Sequence, residues 1–191
     1  YFINHGLIYE SRDYHNVVFK GNDKEGVTRF ASMRGVFDRG GSSFKCDVAG
    51  NDKNYGFNIF ADNSCELIVF EAAIDLLSFI QLFPKDWKKR SYLSLGGVSS
   101  VALMTFLSER PQITSVFLCL DNDQAGNEAC EKLAEEIPDG YSIIRLKPSR
   151  KDWNEILCDK SADRKKAIIE TVTMKAPEEL VPMLCYEDIE Q

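Results

Sequence analysis

The chain has 191 residues, a formal net charge of −7, 44% apolar residues and 28% charged residues. This suits a globular protein with a true core, in one domain or in one domain with a small companion. The net acidity excludes a protein that grips duplex DNA by bulk electrostatics, and no apolar run approaches the roughly 18 residues of a membrane span.

The first sixty residues set short runs of β-formers between Gly, Asn, Asp and Ser. "NVVFKGND" followed by "GVTRFASMRG" predicts strand, turn, strand, with turn chemistry at Gly21-Asn22-Asp23. "SSFKCDVAGNDKNYGFNIF" repeats the pattern, so a small, mostly antiparallel β region is expected over residues 1–61. The texture changes at Asp62. "ELIVF" (66–70) is a continuous apolar run, as in a strand buried on both faces. "AAIDLLSFIQLF" carries Ile74, Leu77, Phe79 and Ile80 at helical spacing. There follow a strand in "SYLSLGG", a helix in "VSSVALMTFLSER", a strand in "ITSVFLCL" and a helix in "QAGNEACEKLAEEI". Pro138-Asp139-Gly140 ends that helix, and "YSIIRL" is the next strand. Such alternation predicts an α/β fold: a parallel, Rossmann-like sheet flanked by helices over residues 62–160. "DWNEILCDK" and "SADRKKAIIETVTMK" are expected to be closing helices, the second opening a C-terminal helix and tail over 161–191.

Charge follows the same division. Residues 1–60 hold eight Lys/Arg against seven Asp/Glu, whereas residues 62–191 hold fifteen against twenty-three. The six cysteines (46, 65, 119, 130, 158 and 185) form no C-x-x-C pair, and the two histidines, His5 and His15, both lie near the start. Zinc is therefore not expected, and the cysteines read as reduced thiols of a cytoplasmic protein. The chain opens on Tyr1 with no signal-peptide pattern, which suggests a piece of a longer polypeptide.

Ligands of open α/β sheets gather at the carboxyl ends of the strands. Here those ends offer Glu71 with Asp75 one helical turn on, then Gly96-Gly97, then Asp121 and Asp123, then Lys147, Lys151 and Asp152. Crowded carboxylates raise one another's pKa unless a cation joins them. An oxygen-only donor set suits Mg²⁺ or Mn²⁺, which also bind phosphate oxygens, and a glycine pair lets phosphate approach the backbone. Taken singly, each feature has a plainer reading. Asp123 would serve as a helix N-cap, Glu71 as a helix-start charge, and the glycines as a tight turn. Their joint placement at successive strand ends favours a divalent-metal site for phosphate chemistry.

"VFEAAID", "LSLGG" and "LCLDNDQAGNEA", in that order, resemble the Toprim domain of bacterial-type DNA primases, topoisomerases and some nucleases. The glutamate–aspartate spacing of Glu71 and Asp75, and the Ala-Gly after Asp121-Asn122-Asp123, are closest to the primase version, and "RKDWNEIL" resembles a further primase segment. Gly97 departs from the pattern, standing where many primases have Thr. "VVFKGNDKEGVTRFASMRG" and "VAGNDKNYGFNI" are similar to the β-rich segment before Toprim in primase-like proteins of plasmids and other mobile elements. Full-length members are expected to carry an upstream region that can hold zinc ligands. The helicase-binding C-terminal domain of replicative primases is not seen in this chain.

The resemblance implies Mg²⁺ (or Mn²⁺) on Asp121 and Asp123, with Glu71 as ligand or general acid/base. Asp75 would orient the site and Asp152 complete the acidic rim. Gly96, Gly97 and Lys151 would meet phosphate, and Arg29, Arg34, Lys45 and Lys53 would guide template or triphosphate. The implied activity is template-directed nucleotidyl transfer on single-stranded DNA with nucleoside triphosphates, with a helicase or other replication protein as a further partner. Two alternatives stay open: a Toprim-type nuclease, and a non-catalytic nucleic-acid-binding or assembly module with a structural metal rim. A topoisomerase would need a nucleophilic tyrosine on a strand-passage domain, and none of the tyrosines has that context.

Overall fold

The computed structural model describes residues 1–38, 43–159 and 166–177. Four strands, β1 (Ile8–Glu10), β2 (Val17–Asn22), β3 (Thr28–Asp38) and β4 (Ser43–Asp47), form an antiparallel sheet in that order. The β2–β3 hairpin closes on Asp23, whose carboxylate accepts the N–H groups of Glu25 and Val27 at 3.1 and 2.8 Å. This is the local competition for backbone donors that makes Asp a turn residue.

A second sheet contains β5 (Asn58–Ile59), β6 (Glu66–Phe70), β7 (Ser91–Ser94), β8 (Ser115–Leu118), β9 (Ser142–Pro148) and β10 (Ile168–Lys175). Its spatial order is β10-β9-β8-β6-β7-β5, with β6 to β9 parallel and the two edge strands antiparallel. The connections are α1 (Ala73–Leu82), α2 (Val101–Glu109) and α3 (Gln124–Glu136), and α4 (Trp153–Cys158) follows β9. β6 is the pivot. The chain leaves it for β7 on one side and then crosses to β8 on the other, which makes its carboxyl end a topological switch point.

Side chains alternate through the sheet as the period of two requires. Ile68 and Phe70 join Leu76, Phe79, Trp153 and Ile156 on the α1/α4 face. Leu67 and Val69 join Leu103, Phe106 and Leu133 on the α2/α3 face. The Trp153 indole is fully buried, donates to the Cys119 carbonyl at 2.7 Å and meets Phe79 edge-on at 4.9 Å. That anchor places the start of α4 beside the end of β8. The antiparallel sheet shares the first core through Phe19, which packs against Phe57 at 5.4 Å, and in the segment between β4 and β5 the Tyr55 hydroxyl donates to Glu109 of α2 at 2.7 Å.

The sequence reading expected a helix through residues 161–175, and the structure corrects it: residues 168–175 are β10, antiparallel to β9. The run "IIETVTMK" is rich in β-branched residues, and the otherwise open edge of β9 offers a row of unpaired backbone groups. Residues 161–165 of that expected helix, and the tail from 178 onward, lie outside the described residues. Among the described residues no helix is long and apolar enough to cross a membrane.

Candidate active site

The carboxylates from the strand ends come together at the switch point. Glu71 follows β6 and Asp121 follows β8, its parallel neighbour. On the other side of β6, the Gly96-Gly97 turn follows β7 with φ of 70° and 147°, a left-handed path that favours glycine. The Gly97 N–H donates to the Glu71 carbonyl at 3.1 Å, which joins the ends of β6 and β7.

Each acid is held in its own way. Asp123 caps α3, its Oδ1 accepting the Gly126 N–H at 2.9 Å, while its Oδ2 lies 3.9 Å from the Lys151 ammonium. The plain cap reading of Asp123 thus holds, and its second oxygen faces Lys151. Gly126 is needed there because a Cβ would sit 2.2 Å from the Asp121 carbonyl oxygen. Asp152 caps α4 by accepting the Glu155 N–H at 2.6 Å. Asp75, 5% exposed in the first turn of α1, accepts the Asn154 N–H at 3.1 Å and so locks α1 to α4.

Burial and crowding shift the charges. Asp121 is pushed up to about 7, by burial first and then by Glu71, Asp75 and Asp152. Asp75 is pushed up to about 6, by burial and then by Asp152. Glu71 is also raised, by burial and then Asp123, with Lys151 and Lys45 opposing. A site that holds Asp75 and Asp121 partly protonated near neutral pH is short of positive charge.

Basic residues of the antiparallel sheet face this rim. Arg34 and Lys45, paired across β3 and β4, line a cavity of about 340 Å³ together with Glu71, Gly96 and Gly97. Lys53 lies in an adjoining cavity on the same glycine turn, ion-paired with Asp47. Arg29 points elsewhere and binds the buried Asp23 at 2.7 Å. Lys147, at the end of β9, lies 3.6 Å from Glu170 of β10. The arrangement thus gathers Glu71, Asp75, Asp121, Asp123, Lys151 and Asp152, with Arg34 and Lys45 opposite. Arg29 and Lys147 are engaged outside it.

Among the described residues, no three His, Cys, Asp or Glu side chains converge as a ready metal cage. The oxygen-only, open donor set still fits Mg²⁺ chemistry, since that ion is held by one or two carboxylates with water and substrate phosphate completing the shell.

Residues 68–157 match a family model described as Toprim-like. The structure matches the primase fragment of the bacteriophage T7 primase-helicase protein with a TM-score of 0.59 at 20% identity, over 81% of this chain and 63% of that one. The chain carries a Toprim-like domain with the fold of primase catalytic fragments. A DnaG primase catalytic domain bound to single-stranded DNA matches with a TM-score of 0.54 at 16% identity, over 84% of this chain and 54% of that one. Residues 1–63 match a family described as a protein of unknown function, DUF3991. An uncharacterised protein of Bacillus anthracis, pXO2-78, is 30% identical over 177 residues, covering 80% of this chain. The chain spans about half (50%) of the length of that curated relative.

Sequence reasoning missed Arg145, whose guanidinium lies beneath the Asp121 turn, and Asn122, which bridges two loops of the site. A lone charged residue inside the buried run "SIIRL" was the available signal for the first. No local pattern marked the second.

Proposed function

We propose that this Toprim chain is the catalytic core of a Mg²⁺-dependent nucleotidyltransferase of primase type, joining nucleoside triphosphates on a single-stranded DNA template. One observation carries the reading. Glu71 shares a cavity with a glycine turn, Arg34 and Lys45, and Asp121 stands at the end of the adjacent parallel strand. Glu71, Asp121 and Asp123 would hold the ion. When bound, Mg²⁺ would stabilise charge on the phosphoryl group and the leaving pyrophosphate, and would acidify the attacking 3′-hydroxyl.

The chain's own residues do the rest. Arg34 and Lys45 draw the triphosphate into the cavity and offset its charge. The Gly96-Gly97 turn presents no side chain, so phosphate approaches the backbone. Lys151 keeps a cation beside Asp123, and Asp75 and Asp152 hold the start of α4 in place. Positioning of this kind supplies much of the rate in phosphoryl transfer.

The likeness to the DnaG catalytic domain bound to single-stranded DNA supports the template class, and the T7 primase-helicase protein supports a helicase as the kind of partner. Such a partner and chemistry would suit a cytoplasmic protein. The test is incorporation of labelled nucleotides on single-stranded DNA with Mg²⁺ or Mn²⁺, by wild type and by Asp121→Asn. Extended product from wild type alone supports the proposal. Shortened DNA would replace it with metal-dependent hydrolysis, and no reaction at all would leave a binding or assembly module.

A further inference from the structure

Behind the acidic rim lies an arginine that the proposed chemistry does not touch. Arg145 is 5% exposed in β9, between the fully buried Ile144 and Leu146. Among the described residues, no carboxylate forms an ion pair with it. Its donors go to main-chain carbonyls instead. Nη1 reaches Leu118 at 3.2 Å, Leu120 at 2.8 Å and Leu146 at 3.4 Å, and Nη2 reaches Asp121 at 2.9 Å.

The reason lies in the register. β8 pairs with β9 as far as Leu118, opposite Arg145 itself. Beyond that point the carbonyls of Leu120 and Asp121 need another donor, and the planar guanidinium fork supplies it. The Asp121 carbonyl is further confined by Gly126, where a Cβ would sit 2.2 Å away. Asn122 hangs the same turn from the opposite side. Its N–H donates to the Lys151 carbonyl at 2.6 Å, and its Nδ2 donates to the Pro148 carbonyl at 3.1 Å. The turn that carries Asp121 and Asp123 is therefore slung between β9 and the segment that carries Lys151 and Asp152.

We propose that Arg145 and Asn122 are positioning residues for the acidic rim: they fix where the Asp121 and Asp123 carboxylates stand relative to Glu71 and Lys151, and so set the affinity for a divalent cation. The inference rests on the metal-dependent reading above. Neither side chain would touch the ion. Lysine at 145 keeps the charge, but its single ammonium cannot span the same carbonyls.

The test is direct binding of Mn²⁺, read from the free-ion electron paramagnetic resonance signal, for wild type, Arg145→Lys, Asn122→Ala and Tyr55→Phe, with thermal unfolding of each. Removing an outer partner of a metal ligand typically weakens binding by about 10- to 100-fold. Arg145→Lys is expected in that range and Asn122→Ala at its low end. Tyr55→Phe, which loses a bond away from the rim, should unfold earlier yet bind Mn²⁺ as wild type does. Wild-type affinity in both rim variants, with only a lower unfolding temperature, would overturn the proposal. Should Arg145→Lys fail to fold, Asn122→Ala decides alone, and unchanged affinity there refutes the positioning role. No Mn²⁺ binding by wild type would instead remove the metal-dependent reading and this inference with it.

Discussion

Replacing Asp121 by asparagine should make the metal-free protein more stable at pH 8, although it removes the charge on which the proposed chemistry depends. In the folded state burial, then Glu71, Asp75 and Asp152, hold this carboxyl up from 3.8 to about 7. Its folded pKa is above its unfolded one, so the folded state prefers the protonated form. The associated stability is full below pH 3.8 and is lost as pH rises through about 7. A gap of that size corresponds to about 4 kcal/mol at 1.36 kcal/mol for each pH unit. Solvent screening of a part-exposed side chain reduces it to about 2 kcal/mol. For a chain of this length, that is a rise of about 4–8 °C in unfolding temperature for Asp121→Asn at pH 8. Differential scanning calorimetry at pH 8 and pH 5 in a chelator checks it. The gain should shrink at pH 5, where the wild-type carboxyl is already mostly protonated. Added Mg²⁺ should raise wild type and leave the variant unmoved. Equal or lower stability of Asp121→Asn at pH 8, or a gain of equal size at pH 5, would refute the crowding argument.

The two roles of Asp123 separate by substitution. Asp123→Asn keeps a cap and should retain stability while losing metal-dependent nucleotide incorporation, whereas Asp123→Ala should lose the activity and about 1 kcal/mol as well, read by urea unfolding. Tyr55→Phe removes the bond to Glu109 that joins the segment between β4 and β5 to α2, and should cost about 1 kcal/mol in the same assay. In wild type the Tyr55 hydroxyl, pushed up to about 12 chiefly by that hydrogen bond and then by burial, should ionise late in an ultraviolet pH titration. Gly126→Ala must move the turn away from a 2.2 Å overlap with the Asp121 carbonyl. Its loss in chemical denaturation should exceed the roughly 1 kcal/mol of a cap removal, and incorporation should fall with it.

Much of this architecture was legible because each parallel strand is buried on both faces. Runs such as "ELIVF" and "VFLCL" have few other homes than a buried strand, and the acids that end them must lie at one rim once the strands run parallel. β10 was not legible. Its β-branched residues sit beside a charged stretch whose spacing also fits a helix, and only the free edge of β9 decides between them. Arg29 and Arg34 looked alike in sequence, five residues apart on the same strand. Arg34 lines the cavity, and Arg29 is taken by Asp23 in the adjacent turn.

The sequence by itself determined which acids could meet, because strand order and the direction of chain travel place Glu71, Asp121 and Asp152 at the same ends of their strands. What each acid does was decided only by the tertiary structure. Asp75 is spent on the start of α4, and Asp123 serves α3 and the rim together. Asp121 is left raised beside Glu71 with its backbone held by Arg145. Burial, cross-strand register and competition for backbone donors act between residues far apart in the chain. No local pattern of residues carries that information.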